Sequence, residues 1–317
     1  MQNIVKSIKK VNKIAIFSHK GPDPDAIGSA LALRQALLSM GKTVALFCDD
    51  EEILGNYEFI EGFEEYNKSD ISDYELYIAI DIASSEMLGK YAEIFSNFEK
   101  TIKIDHHVKG EDFAKINYVK TYSACAIIIY ELIKALKVKM TGKIATCIYL
   151  GICGDTGIFK NCNTDSQTFR VCAELLDYGA DYRQVYSEFF EKRTIENLYL
   201  TSNAIMTAYV SEDGQFSVMS VSSDDIRNFG ASENEHIGNL PHAFLNCGQK
   251  ISVILKQKND GIHCSFRSKF EYDVSKIAEK FGGGGHKNAS GCTIIDSLGN
   301  VEKRIIEAVK NYLMEVK

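Results

Sequence analysis

The sequence predicts an α/β N-terminal domain on a doubly wound parallel sheet, followed by a smaller α+β C-terminal domain. Three observations carry that reading. Short, continuous apolar runs rich in β-branched residues alternate with helical segments as far as residue 178, the pattern of parallel strands covered on both faces. Beyond residue 214 the alternation stops, and strands and helices fall into separate groups. The charge changes at the same place: residues 1–214 hold 23 basic and 31 acidic side chains, residues 215–317 hold 13 and 12.

In order along the chain, residues 13–19 (KIAIFSH) read as the first strand. Residues 26–40 have helical spacing and stop at Gly41, a suitable residue just past a helix end. Residues 43–48, 76–82 (LYIAIDI) and 101–106 (TIKIDH) are the next strands. Residues 123–136, 143–153 and 166–178 are helices, the last opening on the N-cap candidates Thr164 and Asp165. Residues 191–210 read as a connecting helix. Strands are then expected over 216–222, 250–257 and 261–268, the last two joined by the turn Asn259-Asp260-Gly261, with helices over 274–281 and 301–315. The expected domains are 1–190 and 215–317, joined by a helical linker over 191–214.

A chain of 317 residues with 45% apolar and 25% charged side chains can bury a core without staples, which excludes a disordered chain or a disulfide scaffold. A net charge of −7 argues against duplex DNA as a partner. No two of the nine cysteines stand as C-x-x-C, so zinc ribbons and thioredoxin-like chemistry are not expected; they read as core thiols of a reducing compartment. The opening MQNIVKSIKK lacks a signal-peptide core, and no run is long enough to span a bilayer. A cytoplasmic protein with no membrane association is expected.

Four clusters of acidic and histidine residues fall where strands of the first half should end. They are His19 to Ser29 with Asp23 and Asp25, Asp81 with Ser84, Asp105-His106-His107, and Gly154-Asp155-Thr156-Gly157. The carboxyl ends of the strands are where an open α/β sheet binds ligands. Each cluster alone has an ordinary reading: His19 a satisfied strand-end histidine, Asp23 and Asp25 turn residues beside proline, Asp81 an N-cap. Brought together, five carboxylates would repel and some would take up protons. Two divalent cations remove that difficulty, and mixed oxygen and imidazole ligands suit Mn²⁺, Fe²⁺ or Co²⁺, with Zn²⁺ and Mg²⁺ accepted. Such metal pairs are a common device for phosphate-ester hydrolysis. In the second half, Gly282-Gly-Gly-Gly-His286-Lys-Asn-Ala-Ser290-Gly291 could let backbone N–H groups approach a phosphate, or could simply be a linker or helix end. Arg267 is either a phosphate-binding fork or a solvated strand arginine.

The four clusters, in this order, resemble motifs I to IV of the DHH phosphoesterase superfamily, named for its Asp-His-His. The glycine–histidine run resembles the G-G-G-H-x-x-A-[AS]-G motif of the DHH-associated C-terminal domain, so the likeness covers the whole chain. The resemblance implies a first metal held by His19, Asp23 and Asp81, and a second by Asp25, Asp81, His106 and Asp155, with Asp81 as bridge and Mn²⁺ as the leading ion. It implies catalytic roles for Asp81, for His107, facing the scissile phosphate or its leaving oxygen, and for Asp105, which orients the histidines, with a direct role for Asp105 left open. Arg267, Gly283, Gly284, Gly285, His286 and Ser290 would seat the nucleotide.

Within the superfamily the chain is most similar to the NrnA type, the nanoRNase and pAp phosphatase branch. RecJ-like enzymes carry further domains, and family II pyrophosphatases lack the glycine–histidine turn. The expected substrates are therefore short single-stranded RNA (nanoRNA), linear dinucleotides such as pApA or pGpG, and pAp. Cyclic di-AMP hydrolysis is the alternative; pyrophosphate or polyphosphate hydrolysis, or a catalytically silent nucleotide-binding module, comes behind it. Residues 239–248 and Pro24 depart from the family pattern without touching an expected ligand. Homodimerisation through the first domain stays open.

Overall fold

The computed structural model describes residues 1–316 apart from 51–52, 54–55, 108–109, 233–239 and 270. The chain divides into two compact units, Met1–Lys192 and Arg193–Lys317.

In the first unit, β1 (Lys13–Phe17), β2 (Thr43–Phe47), β3 (Leu76–Ile80), β4 (Thr101–Asp105) and β5 (Ile116–Val119) form a wholly parallel sheet in the order β2-β1-β3-β4-β5. Around it lie α1 (Gln2–Lys9), α2 (Pro24–Ser39), α3 (Ala92–Ser96), α4 (Cys125–Leu136), α5 (Gly142–Asp155) and α6 (Ser166–Asp177). Successive strand residues enter opposite cores, as the two-residue period of a strand requires. Ile14, Ile16, Ile78, Ile80, Ile102 and Ile104 pack with α1, α2, α4, α5 and α6. Ala15, Phe17, Ala45, Phe47, Tyr77 and Ala79 pack on the other side with Leu88 and with Phe95 of α3. Both faces are covered, one by long helices and the other mostly by short turns. The strand order reverses between β1 and β3, and that switch point is where such sheets open a crevice at their carboxyl ends.

Local chemistry starts the helices that border this crevice. Asp23 caps α2, accepting hydrogen bonds from the amides of Asp25 (2.9 Å) and Ala26 (3.0 Å), with Pro24 in the first turn where its missing N–H costs nothing. Thr141 caps α5 and Asp165 caps α6 through a reciprocal capping box with Thr168. Helix α5 lies close against α2 and α4. A Cβ on Gly151 would stand 2.8 Å from both Asp25 Oδ1 and the Ala126 side chain, so only glycine permits this approach.

The second unit is a six-stranded mixed sheet. Its strands are β6 (Tyr209–Val210), β7 (Phe216–Val221), β8 (Ile251–Lys258), β9 (Gly261–Ser268), β10 (Gly284–His286) and β11 (Ala289–Ile294), ordered β10-β11-β9-β8-β7-β6. Only β7 and β8 run parallel. Helix Leu298–Glu315 covers one face through Val301, Ile305 and Val309. Of the atypical stretch 239–248, residue 239 lies outside the described residues, and Leu240–Asn246 is a helix.

Two local expectations change. The stretch 191–214 is not one linker helix. A π-helical turn, Val185–Glu191, is followed by a break, and Thr194 caps a new helix, Ile195–Met206. Leu200 and Ala204 of that helix pack with Met219, Val221, Ile226 and Ile254, inside the second unit. The fourth acidic cluster does not follow a strand: Asp155 is the last residue of α5, because the apolar run before it is long enough to be a capped helix. Seven cysteines are buried, while Cys162 and Cys247 are exposed.

Candidate functional site

Three strand ends and two helix ends of the first unit bring the acidic and histidine residues together. His19 stands just past β1, Asp81 follows β3, Asp105 ends β4, and His106 and His107 come next. Asp23 and Asp25 open α2, and Asp155 closes α5. Within two groups, one ligand atom per residue lies within 4.8 Å of the others: His19, Asp23 and Asp81, and then Asp25, His106 and Asp155. A third such group is Asp81, His106 and His107.

The histidine geometry narrows what these groups can do. His19 Nδ1 stands 2.9 Å from the carbonyl of Lys20, and His106 Nδ1 stands 3.0 Å from the carbonyl of Tyr122. A carbonyl only accepts, so each Nδ1 carries the hydrogen and each Nε2 is the available ligand nitrogen. Those Nε2 atoms are aimed at carboxylates. His19 Nε2 is 3.9 Å from Asp23 Oδ1; His106 Nε2 is 3.5 Å from Asp81 Oδ1 and 3.3 Å from Asp155 Oδ2. Without a proton or a cation between them, lone pairs would oppose lone pairs.

The carboxylates carry the same tension. Burial pushes the Asp81 carboxyl well above the usual range, and Asp25, Asp23, Asp155 and Asp105 add repulsion. Its Oδ1 is buried with no hydrogen-bond partner among the described residues, and its backbone is left-handed (φ 60°). Burial, then Asp155 and Asp23, likewise raise Asp25 against two backbone amides. Asp155 is the last residue of its helix and adds a further carboxylate to this group. Bare nitrogens, an orphaned carboxylate oxygen and two buried carboxyls, Asp25 and Asp81, that resist ionisation together fit divalent cations with mixed O and N ligands.

Asp105 is placed differently. It is fully buried, and its Oδ1 accepts from the amides of His106 (2.8 Å) and His107 (3.2 Å) and from His107 Nδ1 (2.7 Å). Its Oδ2 is 3.1 Å from Lys103 Nζ. Burial alone would raise its pKa; the hydrogen bond and charge of His107 prevail, helped by Lys103, and hold it down to about 2. Asp105 therefore holds the His107 ring at Nδ1, and among the described residues no hydrogen bond reaches His107 Nε2. Sequence reasoning missed several supports of this site. The Asp155 carbonyl is clamped by the side-chain amides of Asn161 (3.0 Å) and Asn163 (3.2 Å). The amides of Cys125 (2.5 Å) and Ala126 (2.9 Å) bind Asp25 across a hundred residues of chain. No local motif announces either.

In the second unit, Arg267 on β9 is directly opposite Ala289 on β11, which is opposite His286 on β10. Residues in one such row share a sheet face, so Arg267 and His286 stand on one side. Arg267 is half-buried and donates Nη1–H to the Phe266 carbonyl at 2.9 Å. Gly284 and Gly285 lie in β10, and Gly283 just precedes it, against Gly291 and Cys292. Ser290 is not brought together with Arg267 and His286. It pairs with Gly285 and Phe266, one step along the strand, and its hydroxyl turns to the opposite, buried face. Only its backbone remains near the row.

Comparison with known proteins follows the same division. Residues 13–152 match the model of the DHH family, N-terminal domain, and residues 231–315 match the DHHA1 domain. The chain is 31% identical over 321 aligned residues to the bifunctional oligoribonuclease and PAP phosphatase NrnA of Thermus thermophilus, covering 99% of this chain and 94% of that one. It is 29% identical to the protein of the same name from Bacillus subtilis, covering 92% of each. Among solved structures, an exopolyphosphatase-related protein from Bacteroides fragilis superposes with a TM-score of 0.90 at 23% identity, over 99% of this chain and 96% of that one. Among the described residues, no helix is long and apolar enough to cross a membrane.

Proposed function

The chain belongs to the DHH family, and on that premise we propose that it is a metal-dependent phosphoesterase that hydrolyses short oligoribonucleotides, linear dinucleotides such as pApA or pGpG, and pAp, in the cytoplasm. The observation that carries the metal-dependent part is the tautomer of the two histidines. His19 and His106 both commit Nδ1–H to backbone carbonyls and aim Nε2 at carboxylates. The named relatives, which align end to end with this chain, carry the substrate part.

In this reading His19, Asp23 and Asp81 hold one divalent cation, and Asp25, Asp81, His106 and Asp155 hold the other, with Mn²⁺ the leading candidate. Such a pair supplies an activated water and offsets the charge that grows on the phosphoryl oxygens. The chain does the rest. Asp81 shares its carboxylate between the two sets. His107, held through Nδ1–H by Asp105, which raises its pKa and so favours the form protonated at both nitrogens, keeps Nε2–H available to donate to the scissile phosphate or its leaving oxygen. Arg267 and His286, with the backbone of Gly283 to Gly285 and Ser290, bind the nucleotide end.

The test is a Mn²⁺-supplemented assay on pAp, pApA, pGpG, a five-nucleotide RNA, cyclic di-AMP and pyrophosphate. Hydrolysis of the linear nucleotides is expected to dominate; a preference for pyrophosphate overturns the reading, and a preference for cyclic di-AMP replaces the substrate. In the same assay Arg267→Ala should raise KM for the nucleotides by roughly 10- to 100-fold, the loss of a charge-assisted hydrogen bond. Bis-nitrophenyl phosphate turnover should be unchanged.

A further inference from the structure

Lys103 is the middle residue of β4, three positions before the histidine pair in TIKIDHH, and it is 1% exposed. Lysine is almost never buried unless paired. Here an ammonium donates to two carbonyls and forms an ion pair with one carboxylate. Its Nζ is 3.0 Å from the carbonyl of Ala83, 3.0 Å from the carbonyl of Glu111 and 3.1 Å from Asp105 Oδ2. The ring of Phe113 lies 5.2 Å from the same nitrogen. A Cβ on Gly110 would come within 3.0 Å of Nζ and 2.7 Å of the Ala83 carbonyl, so Gly110 lies directly over this junction.

The three oxygens belong to three functional segments. Ala83 lies two residues past Asp81. Asp105 orients His107. Glu111 closes the loop that follows the histidines, and its amide also binds the Ala83 carbonyl at 2.8 Å. We infer that Lys103 is a positioning residue, which anchors Asp105 through Oδ2 so that Oδ1 fixes His107 with Nδ1 protonated and Nε2 presented to the substrate. This deepens the proposed function and rests on it for the role of His107. Asp105 is thereby reserved for orientation and not for metal binding: one oxygen faces three donors of the His106–His107 segment, and the other faces Lys103. Oδ2 is buried and accepts no hydrogen bond among the described residues, so removing the ammonium takes away the charge that faces it. The carboxylate is then free to turn, and His107 loses its anchor.

The test uses the full chain and Lys103→Met, which keeps length and loses charge. Mn²⁺ uptake, read by isothermal titration, should stay within about threefold of wild type, while kcat on pApA falls roughly 10- to 100-fold with KM within about twofold, the scale of lost outer-shell partners. Asp105→Asn should show the same split. The double variant should be no slower than Asp105→Asn alone, since the two act as one unit. A ¹⁵N–¹H ring correlation on the Mg²⁺-loaded protein should show a hydrogen-bonded Nδ1–H of His107 in wild type and its loss in Lys103→Met. Unchanged kcat, additive losses, or an intact Nδ1–H signal in Lys103→Met overturns the inference. If Lys103→Met does not fold by circular dichroism, Asp105→Asn alone decides it by the same kcat and Nδ1–H readings. If wild type cleaves no nucleotide, the functional reading fails, and the Nδ1–H measurement still judges Lys103.

Discussion

Asp81→Asn is expected to abolish hydrolysis of every substrate and to make the metal-free protein more stable. The substitution keeps shape, and asparagine tolerates the left-handed backbone that Asp81 adopts, so charge is the main thing changed. Its carboxylate is buried among four others and has an oxygen without a partner. Relieving that crowding should raise the melting temperature of the metal-free protein by about 2–4 °C, the effect of roughly 1 kcal/mol in a unit of this size. The same residue is shared by both proposed metal sets, so kcat should fall by at least about 10³-fold, several kcal/mol of lost charge stabilisation. Added Mn²⁺ should raise the melting temperature of wild type far more than that of the variant. A calorimetric melt with and without Mn²⁺ and one assay check all three. A variant that is less stable without metal, or still active, contradicts this account.

Asp25→Ala should lose activity and stability together. Asp25 is fully buried and accepts the amides of Cys125 and Ala126 at the first turn of α4, together with the Ser29 hydroxyl (3.2 Å). Alanine leaves two buried amides unpaired, at roughly 1–3 kcal/mol each, so unfolding by urea should show a loss of about 2–5 kcal/mol. Asp155→Asn gives the contrast. It should lose activity comparably without that loss of stability, because its carboxylate stands at the unfavourable end of a helix dipole. If both variants lost stability equally, Asp25 would not have the second, structural duty assigned to it.

Much of this was legible in the sequence, for physical reasons. A parallel strand buried on both faces must be continuously apolar, so His19, Asp81 and Asp105 stood out as polar residues at the ends of such runs. The Asn259-Asp260 turn was legible because two strands of eight residues flank it. What stayed hidden depends on pairing at a distance. The bond from Asp25 to the start of α4, the tautomers of His19 and His106, and the clamp on the Asp155 carbonyl all use backbone groups, which look alike in any sequence. Ser290 was grouped with Arg267 and His286, but one step along a strand reverses the face. Lys103 had a local signal, a lysine inside the apolar run TIKID, that could have marked it as buried and paired. The break before Thr194 was missed because helical periodicity outweighed a capping threonine.

The central claim is that a pair of divalent cations lies among His19, Asp23, Asp25, Asp81, His106 and Asp155. Anomalous diffraction at the manganese edge, from crystals of the full chain grown with Mn²⁺, tests it most directly. The account predicts two peaks roughly 3.5–4 Å apart with Asp81 touching both. A single peak elsewhere, or no peak among these six side chains, would contradict it.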